Sequence, residues 1–225
     1  MAAGLFIALE GGDFLGKGTQ AVLLAKNLLQ LSEDNDILLT HEPTKYANEL
    51  KERLKTETDA YANAERMTEL YIEDRLSHTQ RLIQPVLNQG GIVIANRYKL
   101  STCCYQSLQG MSLLQLIELH NAKRIPNPDI TLLLDITETT AEARAKALGS
   151  LDKFERDSTF RAKVYERYRT LTEMAQSQPE LFGHVKTIDG NGSPEEVAQN
   201  VLAALMPVYE PWHFSMHGLY PGIRS

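Results

Sequence analysis

The sequence lacks most features of secreted and membrane-spanning proteins. It has only two cysteines, Cys103 and Cys104, which are neighbours and therefore do not form an ordinary loop-closing disulfide. A reducing compartment suits such a chain better than an oxidising one. No apolar run approaches the length needed to cross a bilayer, and the first residues carry no basic side chain of the kind that begins a signal peptide. We therefore expect a cytoplasmic protein that has no membrane partner.

The sequence also lacks an excess of basic residues. Lys and Arg number 23 against 29 Asp and Glu, which gives a formal net charge of −6. This charge disfavours broad electrostatic capture of DNA or RNA, so we expect no nucleic-acid partner. A hydrophobic content of 43% is ordinary for a globular protein, and 225 residues suit one α/β domain with small insertions.

A glycine-rich stretch lies between a predicted strand and a predicted helix. Leu5 to Leu9 form an apolar run of strand length, and Gly11 precedes the pair Gly16-Lys17 at the G-x-x-x-x-G-K spacing. Glycines let backbone N–H groups approach phosphate oxygens, and the helix N-terminus and Lys17 add positive charge. We therefore predict a loop that binds the phosphates of a nucleotide. Its residues are Gly11, Gly12, Asp13, Phe14, Leu15, Gly16, Lys17, Gly18, Thr19 and Gln20.

The predicted magnesium site is weak at two positions. After Lys17, where Ser or Thr would ligate the metal, the chain has Gly18, so the nearest hydroxyl and predicted metal ligand is Thr19. Asn96 follows a predicted strand at a point where enzymes with a phosphate-binding loop of this kind usually have an Asp or Glu that helps to hold magnesium. We nevertheless expect Mg²⁺ to act together with ATP.

Strands and helices alternate along the chain. Short apolar runs at 36–40, 92–95, 130–134 and 184–188 predict four more strands, the first of them buried. The segments between them have helical periodicity. This alternation predicts a three-layer α/β fold, in which a five-stranded parallel sheet carries helices on both faces.

Prolines mark two predicted interruptions of helices. Pro85 is expected to kink or end a long helix that starts at Ala62. The last helix is expected to start at Pro194 and end at Leu205, because three prolines follow at 207, 211 and 221. We therefore divide the chain into a domain at 1–206 and a tail at 207–225. The tail is too aromatic for a flexible linker, which favours docking on the domain or on a partner subunit.

Polar side chains near predicted strand ends and on the long helix are candidate ligand contacts. Arg97 is suited to bind a phosphate with two donors, and a surface salt bridge is the alternative. Tyr71 and Arg75 are four residues apart and share a helix face, where they suit a base, or packing plus a surface charge. Asp13 suits a sugar hydroxyl or a cap of its own turn. The residues alone do not decide between these alternatives.

Basic residues cluster around Gly149, namely Arg144, Lys146, Lys153 and Arg156. They fit a lid at about 144–156 that closes over ATP, or a solvated helix face. His213 and His217 have the i, i+4 spacing of metal ligands, but no further ligands accompany them, so we expect no metal there.

Read in order, these motifs resemble the thymidylate kinase family from about Leu5 to Leu205. The family's E-G-x-D-x-x-G-K-x-T-Q is matched at 10–20, and its R-E-P segment in part by His41-Glu42-Pro43. L-F-x-A-D-R is similar to Leu70–Arg75, and D-R-Y-x-x-S-x-x-A-Y-Q to Asn96–Gln106. P-D-L-T before a strand ending L-D is similar to 128–135, and the lid's L-D-R-x-E to 151–155.

The resemblance implies transfer of the γ-phosphoryl group of ATP to dTMP, in a protein that we expect to be a homodimer. It implies that Tyr71 stacks on the base, Arg75 bonds the carbonyl edge of the base and Arg97 holds the acceptor phosphate. Tyr105 would disfavour a 2′-hydroxyl, and Asp13 would bind the 3′-hydroxyl. The implied acceptor residues are Asp13, Glu42, Tyr71, Arg75, Arg97, Ser101, Tyr105 and Gln106. The implied catalytic cations are Lys17, Arg97, Arg144, Lys146 and Lys153.

The acceptor region departs most from the family pattern. His41 stands for Arg, Tyr71 for Phe and Asn96 for Asp. A kinase for another deoxynucleoside monophosphate, or a catalytically weakened nucleotide-binding relative, therefore remains the alternative. A GTPase-like switch would carry an N-K-x-D signature, which the sequence lacks.

Overall fold

A computed structural model describes residues 4–146, 154, 157–218, 220 and 221. Within these residues the strands are β1 (Leu5–Glu10), β2 (Ile37–His41), β3 (Ile92–Asn96), β4 (Ile130–Asp135) and β5 (His184–Asp189). They pair in parallel in the order β2-β3-β1-β4-β5. The prediction of a five-stranded parallel sheet with helices on both faces is confirmed.

The helices surround this sheet. Within the described ranges they are α1 (Lys17–Leu31), α2 (Asn48–Thr56), α3 (Ala64–His78), α4 (Gln84–Asn88), α5 (Lys99–Leu108), α6 (Leu113–Ala122), α7 (Glu138–Lys146), α8 (Ser158–Ser177), α9 (Pro179–Phe182) and α10 (Pro194–His217). None of these helices combines the length and the apolar composition needed to cross a bilayer.

β1 is the central strand, and every one of its residues is buried. Because side chains alternate along a strand, Leu5, Ile7 and Leu9 pack with α1 and α10, whereas Phe6 and Ala8 pack on the opposite face. β1 lies between β3 and β4, and the direction in which successive strands are added to the sheet reverses at this point. In open α/β sheets this is where ligands bind, at the carboxyl ends of the strands.

β2 is an edge strand, so the prediction that it is buried is wrong. It pairs with β3 alone, and Leu39 is 42% exposed. A run of apolar residues does not distinguish an edge strand from a central one, because strand order depends on pairing between distant parts of the chain.

Two helices differ from their predicted bounds where prolines occur. Regular α-helix ends at His78, and a π-helical segment, Thr79–Ile83, precedes Pro85. Pro85 has no N–H to continue an i→i−4 ladder, and the wider turn before it lets the Gln84 N–H bond the Thr79 carbonyl.

The last helix continues through its prolines, so the prediction that it ends at Leu205 is wrong. It runs to His217 and crosses the predicted boundary at residue 206. Val201, Leu205, Tyr209 and His213 recur every four residues and are all buried. Burial of this face offsets the backbone hydrogen bonds lost at Pro207 and Pro211.

Candidate active site

The glycine-rich loop follows β1 and takes backbone conformations that few side chains allow. Gly11 and Gly16 have φ of 135° and 75°, and a Cβ on Gly11 would lie 2.6 Å from the Leu134 carbonyl oxygen. Phe14 also has a positive φ, of 66°, and its ring lies 5.7 Å from the Arg161 guanidinium. The loop therefore needs glycine at Gly11 for both space and conformation.

Lys17 begins α1 and reaches back over the loop. Its side chain is 7% exposed, and Nζ donates to the Gly12 carbonyl at 2.5 Å. Across the loop, the Tyr165 hydroxyl of α8 donates to the Asp13 carbonyl at 2.8 Å. The Tyr165 ring also lies directly against Gly12, where a Cβ would collide with it. A lysine and a tyrosine thus hold the loop's backbone from two sides.

A single cleft of about 450 Å³ collects every residue implied to bind the acceptor. Those residues are Asp13, Glu42, Tyr71, Arg75, Arg97, Ser101, Tyr105 and Gln106. Pro43, Leu54, Thr102 and Phe154 complete its lining. Residues from the loop, the end of β2, α2, α3 and α5 therefore meet at one place.

Asp13, Arg97 and Tyr105 form an ionic cluster at the loop side of this cleft. Arg97 has a φ of 68° and forms an ion pair with the Asp13 carboxylate through Nη2. The Tyr105 hydroxyl donates to the second Asp13 oxygen at 2.8 Å. Burial alone would raise the pKa of Asp13, but Arg97 and Lys17 outweigh it and lower that pKa. Arg97 therefore lies in the cleft with a loop partner, which excludes the surface-salt-bridge interpretation.

Arg75 is 1% exposed, so it is not the surface charge that helix spacing also allowed. Nε and Nη2 bond Glu42 Oε2 at 2.7 and 2.6 Å, and Nη2 also donates to the Tyr98 carbonyl at 2.9 Å. Nη1 bonds Thr102 Oγ1 at 2.9 Å and His120 Nε2 at 2.7 Å. These contacts use all five guanidinium N–H groups. A base carbonyl would have to replace one of them.

Gln106 lies fully buried in the cleft wall. Its Nε2 donates to Gln109 Oε1 at 3.0 Å, and Gln109 Nε2 in turn donates to the Ala60 carbonyl at 2.7 Å. Because a backbone carbonyl only accepts, this series of hydrogen bonds fixes which atom of each Gln side-chain amide is the nitrogen and which is the oxygen. Gln106 Oε1 is then left without a hydrogen-bond partner among the described residues. A buried acceptor in a cleft wall is suited to a ligand's N–H donor.

Ser101 lines the cleft but is held from behind by Glu10. The Ser101 hydroxyl donates to Glu10 Oε2 at 2.5 Å, and Glu10 Oε1 accepts the backbone N–H of Tyr98 at 2.8 Å. The Tyr168 hydroxyl also bonds this carboxylate, at 3.2 Å. Glu10 is fully buried, and it fixes the start of α5 relative to β1.

Sequence reasoning missed the contribution of α8. Arg161, Tyr165 and Tyr168 all reach the loop or the residues behind it. Their spacing of i, i+4 and i+7 marks one face of a helix, which was the available signal. Nothing in that spacing says which pocket the face adjoins.

A second depression, of about 520 Å³, lies on the other side of the loop. It is lined by Phe14, Leu15, Gly16, Thr19, Gln20, Arg144, Gly190, Gly192, Pro194 and Val197. Arg144 donates from Nη2 to the Gly190 carbonyl at 2.9 Å. Of the other predicted lid cations, the Lys146 side chain and residues Lys153 and Arg156 lie outside the described part of the chain.

Few of the described residues near the loop are suited to hold a magnesium ion. Thr19 is exposed in the first turn of α1, and Asn96 Oδ1 is buried with no hydrogen-bond partner in the described ranges. A Cβ on Gly18 would lie 3.9 Å from Asn96 Nδ2, so these two positions face each other. No described group of three His, Cys, Asp or Glu side chains could hold a metal. By chemical type, the Thr19 hydroxyl and the Asn96 amide oxygen suit a magnesium ion whose other ligands are phosphates and water.

The chain is similar to known proteins over most of its length. A family model described as thymidylate kinase matches residues 9–201. A probable thymidylate kinase from Pyrococcus abyssi is 32% identical over 205 residues, which are 89% of this chain and 95% of that protein. A thymidylate kinase from Ruegeria pomeroyi is 37% identical over 204 residues, 88% of this chain and 92% of the relative. One from Exiguobacterium sibiricum is 34% identical over 213 residues, with coverage of 90% and 96%.

Proposed function

Because this chain belongs to the thymidylate kinase family, we propose that it transfers the γ-phosphoryl group of ATP to dTMP, giving dTDP and ADP. The observation that supports this most is the position of the glycine-rich loop between two depressions. One is lined by the residues implied to bind the acceptor, and the other by the far side of the loop and Arg144. Such a loop can present the donor's phosphates to an acceptor in the neighbouring cleft.

At the acceptor phosphate, Arg97 is the principal ligand. In the free protein its charge is neutralised by Asp13. An incoming phosphate dianion competes with Asp13 for the Arg97 guanidinium. The phosphate offers two acceptor oxygens, which arginine can bind at once through two N–H donors. One oxygen of the Asp13 carboxylate still accepts the Tyr105 hydroxyl. The other oxygen, released from Arg97, can then accept the sugar 3′-hydroxyl. Burial raises the pKa of Tyr105 well above its ordinary range, so its hydroxyl stays protonated.

At the acceptor base, Gln106 and Arg75 present a complementary pattern. The free Oε1 of Gln106 suits the N3–H donor of thymine or uracil, whereas cytosine presents an acceptor at N3. Arg75 suits a neighbouring base carbonyl once that carbonyl replaces Thr102 at Nη1. A mismatched base would leave a buried polar group unpaired, which costs about 1–3 kcal/mol. Tyr71, in the same cleft wall, is placed to contact the face of the base.

The transfer step needs charge stabilisation more than proton transfer. The acceptor phosphate is largely a dianion near pH 7, so one of its oxygens attacks the γ-phosphorus without a general base. The bond from that phosphorus to the bridging oxygen breaks, and ADP leaves with the electron pair. Loop N–H groups, the α1 N-terminus and Lys17 stabilise the transferred group, with Arg97 on the acceptor side.

Further cations and the metal complete the proposed donor site. Arg144, Lys146 and Lys153 are the proposed lid cations. Thr19 and Asn96 are the residues that would face a bound Mg²⁺, which would neutralise charge on the nucleotide's phosphates. We further propose a cytoplasmic homodimer that binds no nucleic acid. The net charge of −6 and the two buried free cysteines support the compartment and the absence of a nucleic-acid partner.

A panel of acceptors tests this function. ADP release is measured with ATP, Mg²⁺ and dTMP, dUMP, dCMP, dAMP, dGMP or UMP. We expect dTMP to be phosphorylated efficiently and dCMP to be at least tenfold poorer because of Gln106. UMP should also be poorer, because the family resemblance implies that Tyr105 disfavours a 2′-hydroxyl. Lys17→Ala is the control, because it should remove the activity and thereby exclude a contaminating kinase. Equal kcat/KM for dTMP and dCMP would contradict the base assignment, and no turnover with any acceptor would contradict the function.

A further inference from the structure

A buried histidine lies behind Arg75, outside the cleft. His120 belongs to α6, is 2% exposed and is not among the residues that line the cleft. Its Nε2 lies 2.7 Å from Arg75 Nη1, and its Nδ1 lies 2.7 Å from the Leu116 carbonyl oxygen. No motif of the sequence singled out this residue.

The two partners of His120 determine its hydrogen positions. A carbonyl oxygen only accepts, so Nδ1 must carry a hydrogen, and a guanidinium only donates, so Nε2 must be the acceptor. Burial, followed by the charge of Arg75, lowers the pKa of His120 well below 6.5. The ring is therefore neutral at pH 7 and can accept one of the Arg75 hydrogens.

The partners of Arg75 differ in their access to the cleft. Thr102 lines it, whereas His120 and the Tyr98 carbonyl do not. Nη1 carries two hydrogens. We call the one bonded to His120 the inner hydrogen, because His120 lies outside the cleft, and the one bonded to Thr102 the outer hydrogen, because Thr102 lines the cleft. A base carbonyl can therefore take over the hydrogen given to Thr102 while the remaining contacts stay in place.

We infer that His120 is a positioning residue for the acceptor base, because it anchors the inner Nη1 hydrogen and so aims the outer one at the cleft. The inference rests on the proposed function, since Arg75 must contact the base. If His120 cannot accept, Nη1 has an unpaired buried hydrogen, and the guanidinium rotates or shifts to satisfy it. The cost then falls on acceptor binding more than on ATP binding or on the chemical step.

His120→Leu and His120→Gln separate positioning from packing. Leu fills the space without an acceptor, whereas the Gln side chain can place its Oε1 near the position of Nε2. We expect His120→Leu to raise the KM for dTMP about tenfold or more, which corresponds to the loss of a hydrogen bond to a charged group. The KM for ATP and kcat should change less than about twofold, and His120→Gln should recover most of the affinity. His213→Leu, at another buried histidine, is the matched control and should leave the KM for dTMP unchanged.

Several outcomes would overturn the inference. A lower melting temperature with an unchanged KM for dTMP would make His120 a packing residue, and a His120→Gln variant as poor as His120→Leu would remove the hydrogen bond from the explanation. If wild-type protein does not phosphorylate dTMP, the proposed function fails, and the variants are compared with the acceptor that the panel identifies. If His120→Leu does not fold, ¹⁵N NMR of the wild-type ring decides, because an Nε2–H tautomer or an imidazolium at pH 7 would refute the geometry.

Discussion

At the scale of single residues, the facing pair of Gly18 and Asn96 concerns the metal. Asn96 has a neutral amide oxygen that is buried without a hydrogen-bond partner among the described residues, and its amide nitrogen faces Gly18. Carboxylates are stronger ligands for Mg²⁺ and for its bound waters than amides are. In the proposed function, this pair would form a relatively weak metal site, and the nucleotide's own phosphates would supply most of the binding.

Asn96→Asp tests this interpretation. We expect the Mg²⁺ concentration for half-maximal dTMP phosphorylation to fall severalfold, because the new carboxylate adds a charged oxygen at the same position. The measurement is initial rate against free Mg²⁺ at saturating nucleotides. Asn121→Asp, an exposed site on α6, controls for the added negative charge. An unchanged half-saturating concentration would mean that Asn96 does not face the metal.

The motifs predicted which residues line the same cleft, but not which of them form ion pairs or hydrogen bonds with one another. Asp13, Glu42 and Arg97 converge on one cleft because they follow parallel strands that end at one edge of the sheet. The ion pair of Arg97 with Asp13, and the burial of Arg75 beside His120, join side chains that are far apart in sequence. Such pairings follow from tertiary packing, and local spacing carries no signal for them.

At the scale of elements, periodicity predicted strands and helices well where no proline intervened. β3 and β4 each extend only one residue beyond their predicted bounds. The predicted bounds are wrong where tertiary packing outweighs a local sequence preference. Prolines end isolated helices, yet α10 continues through two of them because its far end is buried against the sheet and α1.

Tyr209 is the residue that holds this far end in place. Its ring is fully buried in the core, and its hydroxyl accepts from Asn35 Nδ2 at 2.8 Å. We expect Tyr209→Ala to lower the free energy of unfolding by about 3–5 kcal/mol, through the cavity that it creates. Tyr209→Phe should cost about 1 kcal/mol, since only the hydrogen bond is lost.

Urea unfolding followed by circular dichroism measures both changes. Phe214→Ala is the matched control, because Phe214 lies on the same helix but is 46% exposed, and its loss should cost less than about 1 kcal/mol. If Tyr209→Ala unfolds at the same urea concentration as the wild type, the last turns of α10 do not stabilise the domain.

At the scale of the whole molecule, the central strand divides the ligand-binding surface. The acceptor cleft and the second depression lie on either side of the loop that follows β1. Lys17 and Arg97 are the cations nearest to the loop from α1 and from the end of β3, respectively. The two substrates should therefore depend on different cations, although they meet at one transferred group.

Thermal shifts in single variants separate the two halves of the site. At about 100 times its dissociation constant, a ligand stabilises the folded state by about 2.7 kcal/mol, which is about 5–10 °C for a chain of this size. We expect Arg97→Ala to lose the shift with dTMP and keep the shift with a non-hydrolysable ATP analogue, because Arg97 lies in the acceptor cleft. Lys17→Ala should do the reverse. Each shift is measured from the variant's own melting temperature, since Arg97→Ala leaves Asp13 without its ion-pair partner. The opposite pattern would mean that the two subsites are exchanged, and the loss of both shifts in each variant would mean that the loop binds its ligands as one inseparable unit.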